Sequence, residues 1–533
     1  MTTFLRKNYE LIIVLAICFL IIILNFDFSK LVIGLDNASP YFDISDVLGR
    51  IRGTSSIIYG GILFQAPFIY ILKVLQFTPE VISNLYISIN FILGSIGILL
   101  LTKRITKDRI AAILSTVILI TSLFTIWIIS NPNFLFIASY GTIPLLIYLL
   151  SKEKLKLKHY VLISVLSILF LTTTLNIVAF LLFASQIVLI AFVLSKKTSS
   201  IKRLLIWITT VILFWIISIQ CTMLINGDSS LFVIQIFNYI GDLIKHPYMS
   251  VISSGIIASE KTNSILNVAN FSTGWMELHD SGNAPVFEYY GIYKENIFYT
   301  LLGIAPFALS LLALGLEKTK KVIGLTALLL LFLFLSSRFG VSVIENIPFV
   351  REALRWPSSK LWPIYILPLT VLSGISISYI TKLRKFVPYV MLSTLVVILL
   401  FYSFPVLSGN LISSKTKVNI PQEYFNIPRD SKILILPNPQ RLYMREYEWG
   451  YYGSDFISYI NNSEIVDGAN LYEYAPLYEE IFQSGVIPGD IEYILYDTSA
   501  EVNQDDSTIQ ESRALLEGLR KISYNEYFEI YER

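Results

Sequence analysis

Long apolar segments recur from the N-terminus to residue 407, and they constrain the fold of this chain more than any other feature. A membrane-spanning helix needs about 17–25 consecutive, mainly apolar residues. Segments that fit this length lie near 9–25, 81–101, 110–129, 134–150, 159–173, 175–195, 204–225, 297–315, 321–336, 361–380 and 386–407. The sequence therefore predicts a polytopic α-helical membrane protein with about eleven transmembrane helices.

Composition supports the membrane assignment. The chain has 533 residues, of which 54% are hydrophobic and 15% are charged, and its mean hydropathy is +0.63. An ordinary soluble domain is about 25% charged, so this apolar excess is too large for one soluble core. The net charge of +2 argues against a nucleic-acid partner. Both cysteines, Cys18 and Cys221, lie inside apolar segments, so we expect no disulfide framework.

Basic residues predict the orientation. They are concentrated in every second connection between apolar segments, at Arg6, Lys7, Lys103, Arg104, Lys107, Arg109, Lys152, Lys154, Lys156, Lys158, Lys196, Lys197, Lys202, Arg203, Lys318, Lys320, Lys321, Lys382, Arg384 and Lys385. Cytoplasmic loops carry the excess of Lys and Arg, so the N-terminus is predicted in the cytoplasm. The first segment lacks a small-residue cleavage site and is expected to be a retained anchor in the plasma membrane.

This orientation defines the expected domains. A transmembrane domain covers 1–407, with outer loops at 26–80, 226–296 and 337–360. Residues 61–76 are apolar enough to span, but a span there would turn every later basic connection outward. We therefore predict that 45–77 forms helices in the outer interface, and a further true span is the alternative. An amphipathic surface helix is expected at 232–253.

The tail from 408 to 533 has acids, prolines and many tyrosines but no spanning segment, and it predicts a small extracytoplasmic α/β domain. Lys432–Leu436 and Glu492–Tyr496 are typical of strands, as is a last run at 527–531. Residues 507–521 have the apolar spacing of a helix. The aromatic run 443–453 either stacks on a glycan or packs against the membrane domain, and packing is the more common role of such clusters.

Asp36 is the main candidate for catalysis. It follows the first apolar segment, where a carboxylate is costly to desolvate unless it has a role or a partner. A carboxylate in a cleft that excludes water could take the proton of an acceptor hydroxyl during sugar transfer. Alternatively it could hold a divalent cation for the donor phosphate, cap the next helix, or simply mark the membrane edge. Asp43 and Asp46 are secondary candidates, because they fit an N-cap and a first-turn acid.

Arg351, Arg355 and Lys360 form a second candidate, because they lie in an outer loop where the positive-inside rule does not place cations. Arg351 and Arg355 are four positions apart and would share one face of a helix. Two guanidinium groups on one face suit a phosphate, such as that of a polyprenyl phosphate. Snorkelling to lipid head groups, or pairing with Glu345 and Glu352, is the alternative.

The loop 270–293 supplies a third candidate. Trp275 could stack on a sugar face, while His279, Asp280 and the secondary candidate Glu277 could bind sugar hydroxyls or a cation. This run is a weak metal signal, and a solvated loop is an equal alternative. The cofactor is therefore undetermined, with a divalent cation as the one candidate.

These features together resemble the GT-C class of integral-membrane glycosyltransferases. The stretch Arg355-Trp-Pro-Ser-Ser-Lys360 before a late span resembles the R-x-P-x-K/R-F pattern of proteins related to arabinofuranosyltransferases. The resemblance implies an outward-facing active site, a polyprenyl-phosphate sugar donor and an extracytoplasmic glycan, lipid or protein acceptor. It also implies that Asp36 is the base. Many members carry two adjacent acids there, whereas this chain has Asp36 followed by Asn37.

A membrane glycosyltransferase is thus the expected function. A transporter or flippase of lipid-linked glycans is a second hypothesis, which the nearly uncharged helix interiors disfavour. A non-catalytic membrane scaffold with an outer binding domain is a third.

Overall fold

A computed structural model of the chain describes a helical bundle followed by a smaller domain with a mixed sheet. The residues described are 8–33, 70–132, 134–171, 177–195, 198–225, 263–273, 284–347, 350–351, 354, 356–383, 386–438, 444–453, 456–461, 463–467, 475–502 and 504–533.

The bundle helices, in chain order, are α1 Tyr9–Asn25, α2 Pro79–Thr106, α3 Arg109–Thr121, α4 Leu123–Ser130, α5 Phe134–Leu150, α6 Leu157–Leu171, α7 Ile177–Leu194, α8 Thr198–Ile225, α9 Ile265–Ala269, α10 Ile297–Leu316, α11 Lys320–Ser336, α12 Arg338–Glu345, α13 Pro357–Lys360, α14 Trp362–Ile380, α15 Phe386–Tyr402 and α16 Phe404–Leu407. Each predicted apolar segment contains a helix. The amphipathic helix expected at 232–253 and most of 45–77 lie outside the described residues.

Four helices of the described chain are long and apolar enough to cross a membrane, namely α2, the part Ile201–Ser218 of α8, α10 and α14. The number rises to six if each of two bent pairs counts as one span: α3 with α4, bent by 48°, and α11 with α12, bent by 68°. Ser122 explains the first bend, since its hydroxyl caps α4 at Thr125 N. Further apolar helices are shorter. A membrane protein is thus supported, and the larger number of spans stays a prediction.

Helix α14 lies at the centre of the bundle. Its apolar window is 94% buried, against 17% for α10, which packs against it. The pair α2 and α5 crosses very closely at glycines. A Cβ atom on Gly97 would lie 2.6 Å from Cβ of Pro144, so only glycine permits this approach. The helices that touch α14 therefore form a close-packed core.

The C-terminal domain contains a five-stranded sheet in the order β6-β3-β7-β9-β8. The strands of the whole chain are β1 Leu31–Val32, β2 Lys417–Val418, β3 Lys432–Leu436, β4 Arg445–Glu446, β5 Tyr452–Gly453, β6 Glu464–Val466, β7 Tyr493–Asp497, β8 Arg520–Tyr524 and β9 Phe528–Glu532. The first three strands of that order are parallel, and β9 and β8 complete the sheet antiparallel. Its helices are α17 Ile457–Ile460, α18 Ala475–Ser484 and α19 Asp506–Ala514.

Strand β3 has the predicted bounds, and β7 and β9 each lie one residue later than predicted. The helix expected over 507–521 is wrong in its second half. It ends at Ala514 because Gly518 adopts a positive φ of 82° and residues 520–524 pair with β9 as an edge strand. A mixed α/β domain in the tail is therefore present, with one strand more at this edge than the sequence predicted.

Hydrogen bonds at Asn25 and a short strand pair are among the contacts that join the tail to the helical bundle. Asn25 at the end of α1 donates through Nδ2 to the carbonyls of Ile21 and Val406, each at 2.9 Å, and accepts from Leu411 N at 2.9 Å. Strand β1 then pairs antiparallel with β2, which opens the C-terminal domain. We call the end of the bundle at which these contacts lie the tail-side end.

Candidate functional site

The structure describes two of the predicted site residues, Arg351 and Lys360. The others lie outside the described residues, namely Asp36, Asp43, Asp46, Trp275, Glu277, His279, Asp280 and Arg355. The described segments next to them are firmly held, and they define the setting of the candidate site.

The chain that leads to Asp36 is anchored at the tail-side end. Val32 N donates to Ser83 Oγ on α2 at 3.2 Å, and Ile33 N donates to the carbonyl of Thr416 at 2.9 Å. Leu31, Val32 and Ile33 are each no more than 3% exposed. The strand that precedes Asp36 in the sequence is therefore buried, and it contacts both the bundle and the C-terminal domain.

Lys360 ends the short helix α13. Trp356 before it has a positive φ of 76°, and Pro357 follows at the first helical position, which suits proline because its missing N–H would have no helical acceptor there. Pro357, Ser358 and Ser359 are buried. The Gln186 side chain on α7 donates from Nε2 to the Lys360 carbonyl at 3.0 Å. Residues 356–360, the Trp-Pro-Ser-Ser-Lys part of the sequence pattern, thus form a packed turn between helices.

Arg351 lies on a helical turn nine positions before Lys360, where its N–H donates to the carbonyl of Ile347 at 2.8 Å. Both cationic side chains are intermediate in exposure, neither fully in solvent nor fully buried. Part of each long side chain is therefore packed against the protein. The clamp formed with Arg355 stays a prediction.

The segment 263–273 reaches into the bundle ahead of the predicted sugar-contact loop. Ser264 caps α9 by accepting from Asn267 N at 3.1 Å. The Phe271 ring packs against Phe124, Phe332 and Tyr365, with centroids 5.3, 6.1 and 6.0 Å away. The sequence predicted an outer loop over 226–296, without a helix at 265–269. The Ser264 cap signal before a short apolar run was the clue to its helix.

Aromatic residues of the C-terminal domain form a packed cluster. Tyr447, Tyr451 and Phe456 are at most 1% exposed, and the Trp449 and Tyr451 rings stack with centroids 5.6 Å apart. The aromatic run is therefore packed within the C-terminal domain, and its packing against the membrane domain stays a prediction. Only part of the Trp449 surface remains exposed.

The same domain buries two polar networks. Arg445 donates to Asp467 at 2.6 Å and to the carbonyl of Pro437 at 2.9 Å. Asp497 accepts from the hydroxyls of Tyr424 at 2.8 Å and Ser499 at 2.7 Å. Burial raises the pKa of Asp497 to about 6.

Within the described part of the chain, no group of three or more His, Cys, Asp or Glu residues could hold a metal ion. Asp36 lies outside these residues, and its role in binding a cation stays a prediction.

Together these features define a class: a helical membrane protein whose bundle is joined at one end to a small mixed-sheet domain. No family model matches the sequence, and no curated protein matches it. Solved structures do. The chain is similar to the arabinofuranosyltransferase AftD from Mycobacteria, with a TM-score of 0.61, 14% identity and coverage of 98% of this chain.

A mutant of the same mycobacterial enzyme matches with a TM-score of 0.54 at 13% identity. The chain spans about 40% of the length of these structures. At such low identity the match establishes the fold. It confirms, at that level, the resemblance to the GT-C class that the topology and the Arg-Trp-Pro-Ser-Ser-Lys stretch suggested.

Proposed function

We propose that this chain is a membrane glycosyltransferase that moves a sugar from a polyprenyl-phosphate donor to an extracytoplasmic glycan, lipid or protein acceptor. The observation that carries the proposal is the structural match to an arabinofuranosyltransferase along 98% of the chain. A fold can host several functions, so the assignment depends on the residues proposed for the site. Pentosyl transfer is the first version to test, because the matched enzyme is named for a pentose.

In the proposed reaction, Asp36 accepts the proton of the acceptor hydroxyl as the bond from its oxygen to the anomeric carbon forms. The bond from that carbon to the phosphate oxygen breaks, and polyprenyl phosphate leaves as an anion. Arg351, Arg355 and Lys360 stabilise this anion by charge-assisted hydrogen bonds. Trp275 stacks on the sugar, and His279, Asp280 and Glu277 contact its hydroxyls or a divalent cation.

The described neighbours support these roles. The strand before Asp36 is buried and hydrogen-bonded on both sides, which suits a base that must be held in position. Lys360 is fixed by a link between α13 and α7. We infer that both segments face the outer leaflet, where a lipid-linked donor would present its phosphate.

The test is transfer of radiolabelled sugar from a polyprenyl-phosphate donor by membranes that contain the full chain. Asp36→Asn should lower transfer about 10²–10⁴-fold, the usual contribution of a general base. Asp27→Asn is the matched control, because Asp27 lies in the same connection and accepts hydrogen bonds from Ser29. Full activity in Asp36→Asn would reject the base. Movement of intact labelled lipid without transfer would favour a transporter.

A further inference from the structure

Four buried side chains around α9 carry polar atoms for which the described residues provide no hydrogen-bond partner. These atoms are Nδ2 and Oδ1 of Asn263, Nδ2 of Asn270, Oγ1 of Thr273 and Oγ of Ser336. The four residues are at most 4% exposed. A buried polar group left unpaired costs about 1–3 kcal/mol, so a cluster of such groups in one place calls for a ligand or water that completes them.

Three of the four belong to one neighbourhood. The rings of Phe271 and Phe332 stack with centroids 6.1 Å apart. Ser336 is four positions after Phe332 on α11 and therefore lies on the same helix face, one turn further along. Asn270 and Thr273 flank Phe271 in the chain. At 1.5 Å per residue the five-residue α9 is about 7.5 Å long, so Asn263 at its other end lies roughly 10 Å away.

The Asn270 carboxamide has a fixed orientation. Its Oδ1 accepts from the Tyr402 hydroxyl at 2.6 Å, which leaves the two Nδ2 protons as the available donors. The side chain lies directly on the backbone of α10 at Gly303, where a Cβ atom would overlap it. Phe271 adopts a positive φ of 62°, which is rare for a residue with a bulky side chain. The packing of its ring against three aromatic side chains holds this turn in place.

We propose that these four side chains, which we call the amide cluster, bind the hydroxyl groups of the sugar on the lipid-linked substrate. This inference rests on the proposed function. Carboxamides and hydroxyls offer both donors and acceptors, as vicinal sugar hydroxyls do. Because all four side chains are neutral, the amide cluster suits a polyhydroxyl group better than a phosphate or a cation.

Removal of these groups tests the assignment, because a ligand-binding amide and a structural amide respond differently. Asn263→Leu and Thr273→Val remove atoms without a described partner, so the melting temperature of the ligand-free protein should stay the same or rise. Asn84→Leu is the control. Its Nδ2 donates to the carbonyls of Asp27, Lys30 and Glu80 at 3.2, 2.9 and 2.8 Å, so its loss should lower the melting temperature.

Affinity is then measured on the purified full chain in detergent, by tryptophan fluorescence titration with polyprenyl phosphate and with a panel of polyprenyl-phosphoryl pentoses and hexoses. The wild type should bind at least one sugar-bearing lipid more tightly than polyprenyl phosphate. Asn263→Leu and Thr273→Val should each weaken that lipid about tenfold, equivalent to roughly 1.4 kcal/mol, and leave polyprenyl phosphate unaffected.

The outcomes separate the two proposals. An unchanged sugar preference in both variants would overturn the amide cluster as a sugar site and leave it as a site for buried water. Binding of polyprenyl phosphate with no gain from any sugar would also overturn it, while the lipid-phosphate part of the proposed function stands. Failure to bind any of these lipids would reject the proposed function and the inference together.

Discussion

The side-chain amide of Gln186 donates a hydrogen bond of 3.0 Å to the main-chain carbonyl of Lys360, and so joins segments 174 positions apart. Gln186 is 4% exposed and lies nine positions after the start of α7, about 14 Å along the helix. A second bond of 3.3 Å runs from Trp362 Nε1 to Ser139 Oγ. The main chain at Lys360 is therefore held by a bond to its own carbonyl and by a second bond two positions later, at Trp362.

Gln186→Met keeps the length of the side chain and removes this hydrogen bond. We expect the Michaelis constant for the donor to rise about tenfold, equivalent to roughly 1.4 kcal/mol, because Lys360 would lose its fixed position toward the phosphate. The turnover number should change less, since the proposed base is untouched. Steady-state transfer kinetics in membranes provide the measurement.

Ser185→Ala is the matched control on the neighbouring position, where the hydroxyl donates to the carbonyl of Leu182 in its own helix. This variant should behave as the wild type. Unchanged donor kinetics in Gln186→Met would show that the link to Lys360 has no role in donor binding.

Asn25 at the end of α1 donates to the Val406 carbonyl of α16 and accepts from Leu411 N at the start of the tail, while a third bond, to the Ile21 carbonyl, lies within α1. Asn25→Leu would leave Val406 O and Leu411 N buried without their partner. We expect the free energy of unfolding to fall by about 2–6 kcal/mol, because each of the two unpaired groups costs about 1–3 kcal/mol. Thermal unfolding in detergent measures the loss. Asn346→Leu, the same change at an exposed position, should have little effect, and equal effects in the two variants would contradict this role.

The Arg445–Asp467 pair lies inside the C-terminal domain, with side chains 0% and 2% exposed. Arg445→Met leaves a buried carboxylate without its cation and should lower the free energy of unfolding by about 3–5 kcal/mol. Adding Asp467→Leu should restore part of the loss, because the uncompensated charge is gone. Recovery should be incomplete, since Arg445 also donates to the carbonyl of Pro437. A single variant as stable as the wild type would contradict the assignment.

The helices could be predicted from sequence because a lipid-facing helix must be apolar over its whole length, which gives a strong local signal. The two-residue strands β1 and β2 could not, since they carry little pattern of their own and their partners are almost 400 positions apart. In the tail, Leu515, Leu516 and Leu519 have helical spacing, but pairing of residues 520–524 with β9 overrides that local preference.

In the candidate site, too, some residues could be predicted from the sequence and others could not. Lys360 was predicted because a cation on the outer face departs from the charge pattern of the loops. Gln186 and Ser336 were not, because a single polar residue inside an apolar helix has no evident role until the segment it faces is known. The sequence predicted that Asn270 lies in an outer loop. Its buried position follows from the tertiary contact with Tyr402.

Asp497 should make stability depend on pH. Its side chain is fully buried, and burial raises its pKa from 3.8 to about 6. The folded state therefore holds this proton more tightly than the unfolded state does. The resulting stabilisation is fully present below about pH 4 and is lost as the pH rises through about 6, a change of roughly 3 kcal/mol.

Asp497→Asn stays neutral, so its stability relative to the wild type should increase as the pH rises from 4 to 7. Any constant effect of altered hydrogen bonds to Tyr424 and Ser499 cancels in this comparison across pH. The control is Asp490→Asn, at an exposed acid whose pKa is lowered by its hydrogen bond to Lys432, so its stability relative to the wild type should stay constant above pH 5. Melting temperatures of the full chain across this range provide the measurement. A difference between Asp497→Asn and the wild type that does not vary with pH would show that Asp497 is ionised in the folded protein throughout, with its hydrogen bonds offsetting the effect of burial.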